Sequence, residues 1–200
     1  MIPCLSEKIC SLFIVHGIIE QEDKEAYSYS FEILLSTLLN FLAACIISIV
    51  TRTVIETAFY LLAFIPLRQL AGGYHAKNHQ RCFWIFMCVY AVFLLIIKLL
   101  PLSYIFITIM VCSAASGGLV FQLSPIDDPN KPMSEQERII FKRKSRIAVI
   151  GYIILTLLMF MLNETWALSI SLGMISVALS LLASAIKRKI NCKKHSFGIK

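Results

Sequence analysis

Apolar residues gather into six runs along this chain, at residues 31–50, 54–67, 83–100, 102–121, 147–162 and 166–186. A bilayer-crossing helix needs ~20 predominantly apolar residues. The second run is short for that and contains Glu56. Arg52 stands four residues earlier, so one helix through both would let them pair near the bilayer edge. Ahead of the first run, residues 2–20 place Ile2, Leu5, Ile9, Leu12 and Phe13 at helical spacing on one face. This predicts an amphipathic helix that lies on the membrane surface or packs on the bundle. "EQEDKE" then ends the apolar pattern. The fold expected is all-α: a polytopic membrane bundle of six transmembrane helices behind an amphipathic N-terminal helix.

The interruptions divide a single membrane domain, 1–200, into functional parts. Residues 1–30 form the N-terminal helix and linker, 31–186 the bundle, and 187–200 a basic tail. Two polar loops, 68–82 and 122–146, break the bundle. Pro101 closes the third run, and "SAASGG" in the fourth offers small residues for close helix contact, which also makes a homodimer a candidate assembly. In the later loop Pro125, Pro129 and Pro132 oppose helix. Ser134 and Glu137 then have the spacing of a capping box, so a helix is expected to start there and run on into the fifth span.

Composition supports the membrane reading. Hydrophobic residues make up 58% of the chain and the mean hydropathy is +0.77, against ~45–50% apolar residues in soluble domains. The net charge of +7 sits beside apolar runs. It is therefore assigned to orientation and to contact with anionic membrane lipids rather than to nucleic acid. Six spans with both termini inside put seventeen of the nineteen Lys and Arg residues on the inner side. If the short second run does not cross, the best orientation still puts sixteen inside. Either way both loops are cytoplasmic, as expected of a multi-pass protein of the cell membrane. The N-terminus lacks a small-x-small cleavage pattern and is expected to be retained. Seven cysteines match no disulfide framework. Cys45, Cys88 and Cys112 lie in apolar runs, where a thiol acts as a small hydrophobe.

The loop "RQLAGGYHAKNHQRCF" carries the candidate chemistry. Cys82 opens the third span, where the positive end of a helix and Arg81 both favour a thiolate. His75 is a candidate base. On a straight helix seven residues rise ~10.5 Å, too far for direct proton transfer over ~2.6–3.2 Å. The chain must turn between them, and Gly72 and Gly73 allow a turn just before His75. A zinc site is a second reading: His75, His79 and Cys82 have helical ligand spacing, with no fourth ligand evident. A solvated loop with no catalytic role is a third. Arg138, Lys142, Arg143 and Lys144 read as a membrane-surface anchor or as a docking surface for an acidic peptide. Asp127 and Asp128 are turn residues, or one of them orients His75. Under a non-enzymatic transporter or adaptor, Glu56 and the cytoplasmic cations would matter more than Cys82.

"RQLAGGYHAKNHQRC", followed by "SPIDDPNKPMSEQE", resembles the accessory gene regulator protein B (AgrB) family. The resemblance covers most of the chain. It implies a membrane thiol protease of quorum sensing that cuts a short AgrD-type precursor peptide at the cytoplasmic face. Through a thioester on the enzyme, the precursor then cyclises to a thiolactone or lactone autoinducing peptide. Cys82 matches the nucleophile and His75 the base. Arg68 matches a basic position upstream that holds the loop or the substrate, and Gly72 and Gly73 match a glycine pair. No metal or other cofactor is implied.

Overall fold

The computed structural model describes residues 2–72, 79–126 and 133–196, the side chains of residues 2–3, 26, 29, 33, 79–81 and 191–196 excepted. Seven α-helices make up nearly all of this: α1 (Ile2–Val15), α2 (Lys24–Thr51), α3 (Val54–Ala71), α4 (His79–Leu99), α5 (Leu102–Leu123), α6 (Glu135–Phe160) and α7 (Glu164–Ser196). By packing they form two compact units. One holds residues 1–52 and 76–90, the other 53–75 and 91–200.

In the first unit α1 packs on α2. It uses only part of the predicted apolar face: Phe13 turns toward α2 and Leu5 and Leu12 do not. Ser6 and Cys10 are buried, whereas Leu5 and Leu12 are exposed. Ser6 donates to Glu32 Oε1 (3.4 Å), and Phe13 stacks on Phe31 with centroids 5.5 Å apart. The small residues turn inward because they let α1 approach closely, and the large aliphatics remain for lipid. Deeper in this unit Tyr90 of α4 donates to Ala44 O of α2 (3.2 Å).

Arg52 corrects a second expectation. It does not share a helix with Glu56. It takes a left-handed conformation (φ 57°, ψ 40°) and caps α2, its N–H bonding to Ile49 O and Ser48 O. Glu56 belongs to the first turn of α3. The break separates the two residues that a continuous helix would have paired.

In the second unit α7 packs on α3, α5 and α6. Residues 167–174 of α7 are buried at every position, which marks a helix surrounded by others. At Gly173 a Cβ would lie 2.6 Å from Tyr60 O and 3.1 Å from Ala63 Cβ, so the two backbones meet there. The "SAASGG" stretch also turns small residues inward, with looser contact. Ser113, Ser116 and Gly117 are buried on α5, with Gly117 facing Ile153 of α6.

The short second run is extended by its own loop. α3 continues to Ala71 and contains Pro66. A helical proline has no N–H for the carbonyl four residues back. That carbonyl is Leu62 O, and the Tyr152 hydroxyl of α6 donates to it at 2.7 Å. A side chain from a neighbouring helix thus satisfies the group that the proline left open, as polar groups inside a bilayer require.

Among the described residues five helices are long and apolar enough to cross a membrane: α2, α3, α4, α5 and α7. The chain is an all-α, multi-pass membrane protein. The sixth expected span, 147–162, falls at the apolar end of the longer helix α6, which is not one of these five. The capping box at Ser134 and Glu137 is formed as predicted, and α6 starts there. Arg143, Lys144 and Arg146 precede the apolar residues directly. The basic tail is also not a separate segment at first, since α7 runs on to Ser196.

Candidate functional site

The loop that carries the candidate chemistry is rooted at the end of α3. Gly72 N–H donates to Arg68 O (3.1 Å), and Gly72 then turns with φ 73° and ψ −145°. Side chains rarely tolerate that φ. Space excludes one as well, because a Cβ on Gly72 would collide with the Ile126 carbonyl oxygen. Ile126 N–H donates to Ala71 O (3.2 Å), and residues 72 and 126 form an isolated backbone bridge. The two polar loops, far apart in sequence, are therefore joined at their roots. Beneath them Leu67, Ala71, Val120 and Ile126 belong to one buried core.

Arg68 locks this root. Its Nη1 donates to Gly72 O and to Ser180 Oγ, each at 2.8 Å. Hydrogen bonds from a guanidinium are roughly twice as strong as neutral ones. Ser180 lies on α7 and donates in turn to Val177 O (2.8 Å). A parallel link fixes α6: Ser124 Oγ donates to Ser145 Oγ (2.7 Å), which donates to Lys142 O (3.1 Å). The sequence reading did not find Ser180, Ile126 or the Ser124–Ser145 pair. Arg68 and Gly72 at i and i+4 carried the one available signal, a basic residue near a glycine-capped helix end.

On α6, Arg138, Lys142, Arg143 and Lys144 are all exposed. Arg146 is half-buried. Its Nη2 donates to Phe121 O (2.9 Å), and the guanidinium lies over the Phe121 ring, 5.1 Å from its centroid.

Cys82 belongs to the other unit. It is the fourth residue of α4, half-buried and not in a disulfide. It lies in the first turn of α4, in the positive field of the helix end. His75 and Gly73 lie outside the described residues, as do Asp127 and Asp128 and the side chains of His79 and Arg81. Two of the three ligands of the zinc reading are therefore undescribed. Within its own unit the structure brings Arg68, Gly72, Ile126 and Ser180 together as one root.

The model of the accessory gene regulator B family matches residues 6–181. Protein FsrB of Enterococcus faecalis is 26% identical over an alignment of 136 residues that covers 65% of this chain. The match spans about half of that relative's length, 55%. No solved structure matches the chain. The family match runs through α1, both polar loops and most of α7, and on that extent the chain belongs to the accessory gene regulator B family.

Proposed function

We propose that this chain is a membrane cysteine endopeptidase that cleaves a short AgrD-type precursor peptide and promotes its cyclisation. The observation that carries the reading is the family match over residues 6–181, which takes in Cys82 at the first turn of α4. In this reading His75 removes the Cys82 proton and the thiolate attacks the scissile carbonyl. The C–N bond breaks, the imidazolium returns its proton to the departing amine, and the precursor's C-terminal tail leaves. The remaining acyl group stays on Cys82 as a thioester. An internal thiol or hydroxyl of the precursor then attacks that carbonyl, Cys82 departs, and a thiolactone or lactone forms. Each step exchanges one acyl bond for another, so no oxidant, reductant or ATP is needed.

The root described above gives this loop a fixed base. Arg68 and Gly72 hold the departure of the chain from α3, and Gly73 completes the glycine pair. Of the exposed cations Arg138, Lys142, Arg143 and Lys144, Arg138 and Lys144 lie outside the groove between α5 and α6 and are the ones free to meet an acidic part of the precursor. Charge supports a cytoplasmic site with both termini inside. If α6 crosses with the other five, seventeen of the nineteen cations are inside; if it does not, the tail moves out and they divide eleven to eight. At ~1.5 Å per residue the uncharged stretch 147–160 of α6 reaches ~21 Å, so a crossing of the ~30 Å hydrocarbon layer needs Arg143, Lys144 and Arg146 to extend to its edge.

The reading is tested by co-expressing the chain with a precursor tagged at its C-terminus and measuring tail release in membranes. Wild type should release the tail, while Cys82→Ala and His75→Ala at equal membrane abundance should not. Undiminished release by Cys82→Ala would falsify it.

A further inference from the structure

We propose that the groove between α5 and α6 is a binding seat for one anionic phospholipid. A cavity of about 690 Å³ opens on this surface, within the ~300–1,000 Å³ typical of small-molecule sites. Its cations are Lys142, Arg143 and Arg146, and its apolar walls include Ile139, Ile147 and Ile150. Among the described residues no acidic side chain lines it. These positions on α6 are spaced by three or four residues, so they form one stripe along the helix. Arg138 and Lys144, though part of the same basic cluster, do not line it.

The order of residues along the stripe selects an amphiphile. The cations end at Arg146, and from Ile147 to the end of α6 no charged residue follows. A phosphate on the cations would therefore leave its acyl chains on Ile147 and Ile150, which are 60% and 47% exposed. Arg146 is placed to receive it. Among the described residues only Phe121 O accepts from its five N–H donors, and Nε is enclosed with no acceptor. Enclosed donors are rarely left so. A small shift of the guanidinium on a bound phosphate would supply the missing acceptor, with Phe121 as the ring beneath it.

A peptide occupant is less well served. The backbone groups of α6 along the groove are bonded within the helix, and Phe121 O is already taken by Arg146. The groove offers an extended peptide main chain nothing to pair with. Acyl chains ask only for apolar contact.

The test is lipid retention by native mass spectrometry, with the full chain released from detergent containing equal phosphatidylglycerol and phosphatidylcholine. Phosphatidylglycerol should be retained about tenfold over phosphatidylcholine, and Lys142→Gln with Arg143→Gln should remove that preference. Both residues are exposed, so the variant keeps its packing. Arg138→Gln with Lys144→Gln makes the same charge change outside the groove and should leave retention within about twofold. Equal retention of the two lipids overturns the proposal. So does an equal loss in both double variants, which would reveal only the general field of a basic surface. An acidic amphipathic peptide that displaces phosphatidylglycerol and binds the lipid-free chain more tightly would reassign the groove to a peptide.

Discussion

Helices α2 and α7 are both strongly apolar, yet they treat their large side chains in opposite surroundings. On α2, Leu34, Leu38, Leu42, Ile46 and Ile49 are exposed, while among the described side chains the buried ones are Ser36, Ala44 and Ser48. On α7, residues 167–174 are buried without exception, and they include Ser169, Ser171 and Gly173. The serine hydroxyls cost little there because their own helices accept them: Ser48 bonds Cys45 O, Ser169 bonds Thr165 O and Ser171 bonds Leu168 O. The lesson is that hydrophobicity places a helix in the bilayer but does not choose its inward face. Lipid is as apolar as leucine, so close packing of small residues makes that choice.

The comparison breaks most sharply at Gly173. Replacing it with valine drives a side chain into the α3 backbone at Tyr60 O, and should lower unfolding stability in detergent by about 3 kcal/mol or more. Next comes Gly72→Ala, which meets both the positive φ and the Ile126 carbonyl, a cost of about 1–3 kcal/mol at the loop root. Its readout is activity: peptide processing should fall well before the bundle itself melts. Tyr152→Phe is smaller. It removes the donor to Leu62 O above Pro66, worth ~0.6–2 kcal/mol inside a membrane, and should appear as a modest drop in thermal midpoint. Smallest is Leu38→Ala on the exposed face of α2, expected within about 0.5 kcal/mol. A large loss there would mean that another chain or part of this one covers that face.

Much of this was legible in the sequence. The six apolar runs each became a helix, and Ser134 with Glu137 announced the start of α6 through purely local chemistry. Pro101 separated α4 from α5 where expected. What failed depended on partners distant in the chain. The inward residues of α1 were chosen by α2, which takes Ser6, Cys10 and Phe13 and leaves Leu5 and Leu12 exposed. Arg52 read as a helix-face ion partner, and instead its backbone ended the helix. At the candidate site, Cys82 at a helix start followed from a local boundary. The pairing of Gly72 with Ile126 and of Arg68 with Ser180 could not, since no periodicity links α3 to the loop after α5 or to α7. A proline inside α3 does leave a trace, because it frees a carbonyl that must find a donor.

The central claim is that Cys82 carries the precursor as a thioester. The direct measurement is the intact mass of the protein after incubation with a precursor whose internal cysteine or serine is replaced by alanine, so that the ring cannot close. The account predicts a covalent adduct, heavier by the precursor without its tail, that maps to Cys82, is released by neutral hydroxylamine and is absent from Cys82→Ala. An adduct on another residue, or tail release from this precursor with no adduct at early times, would contradict it.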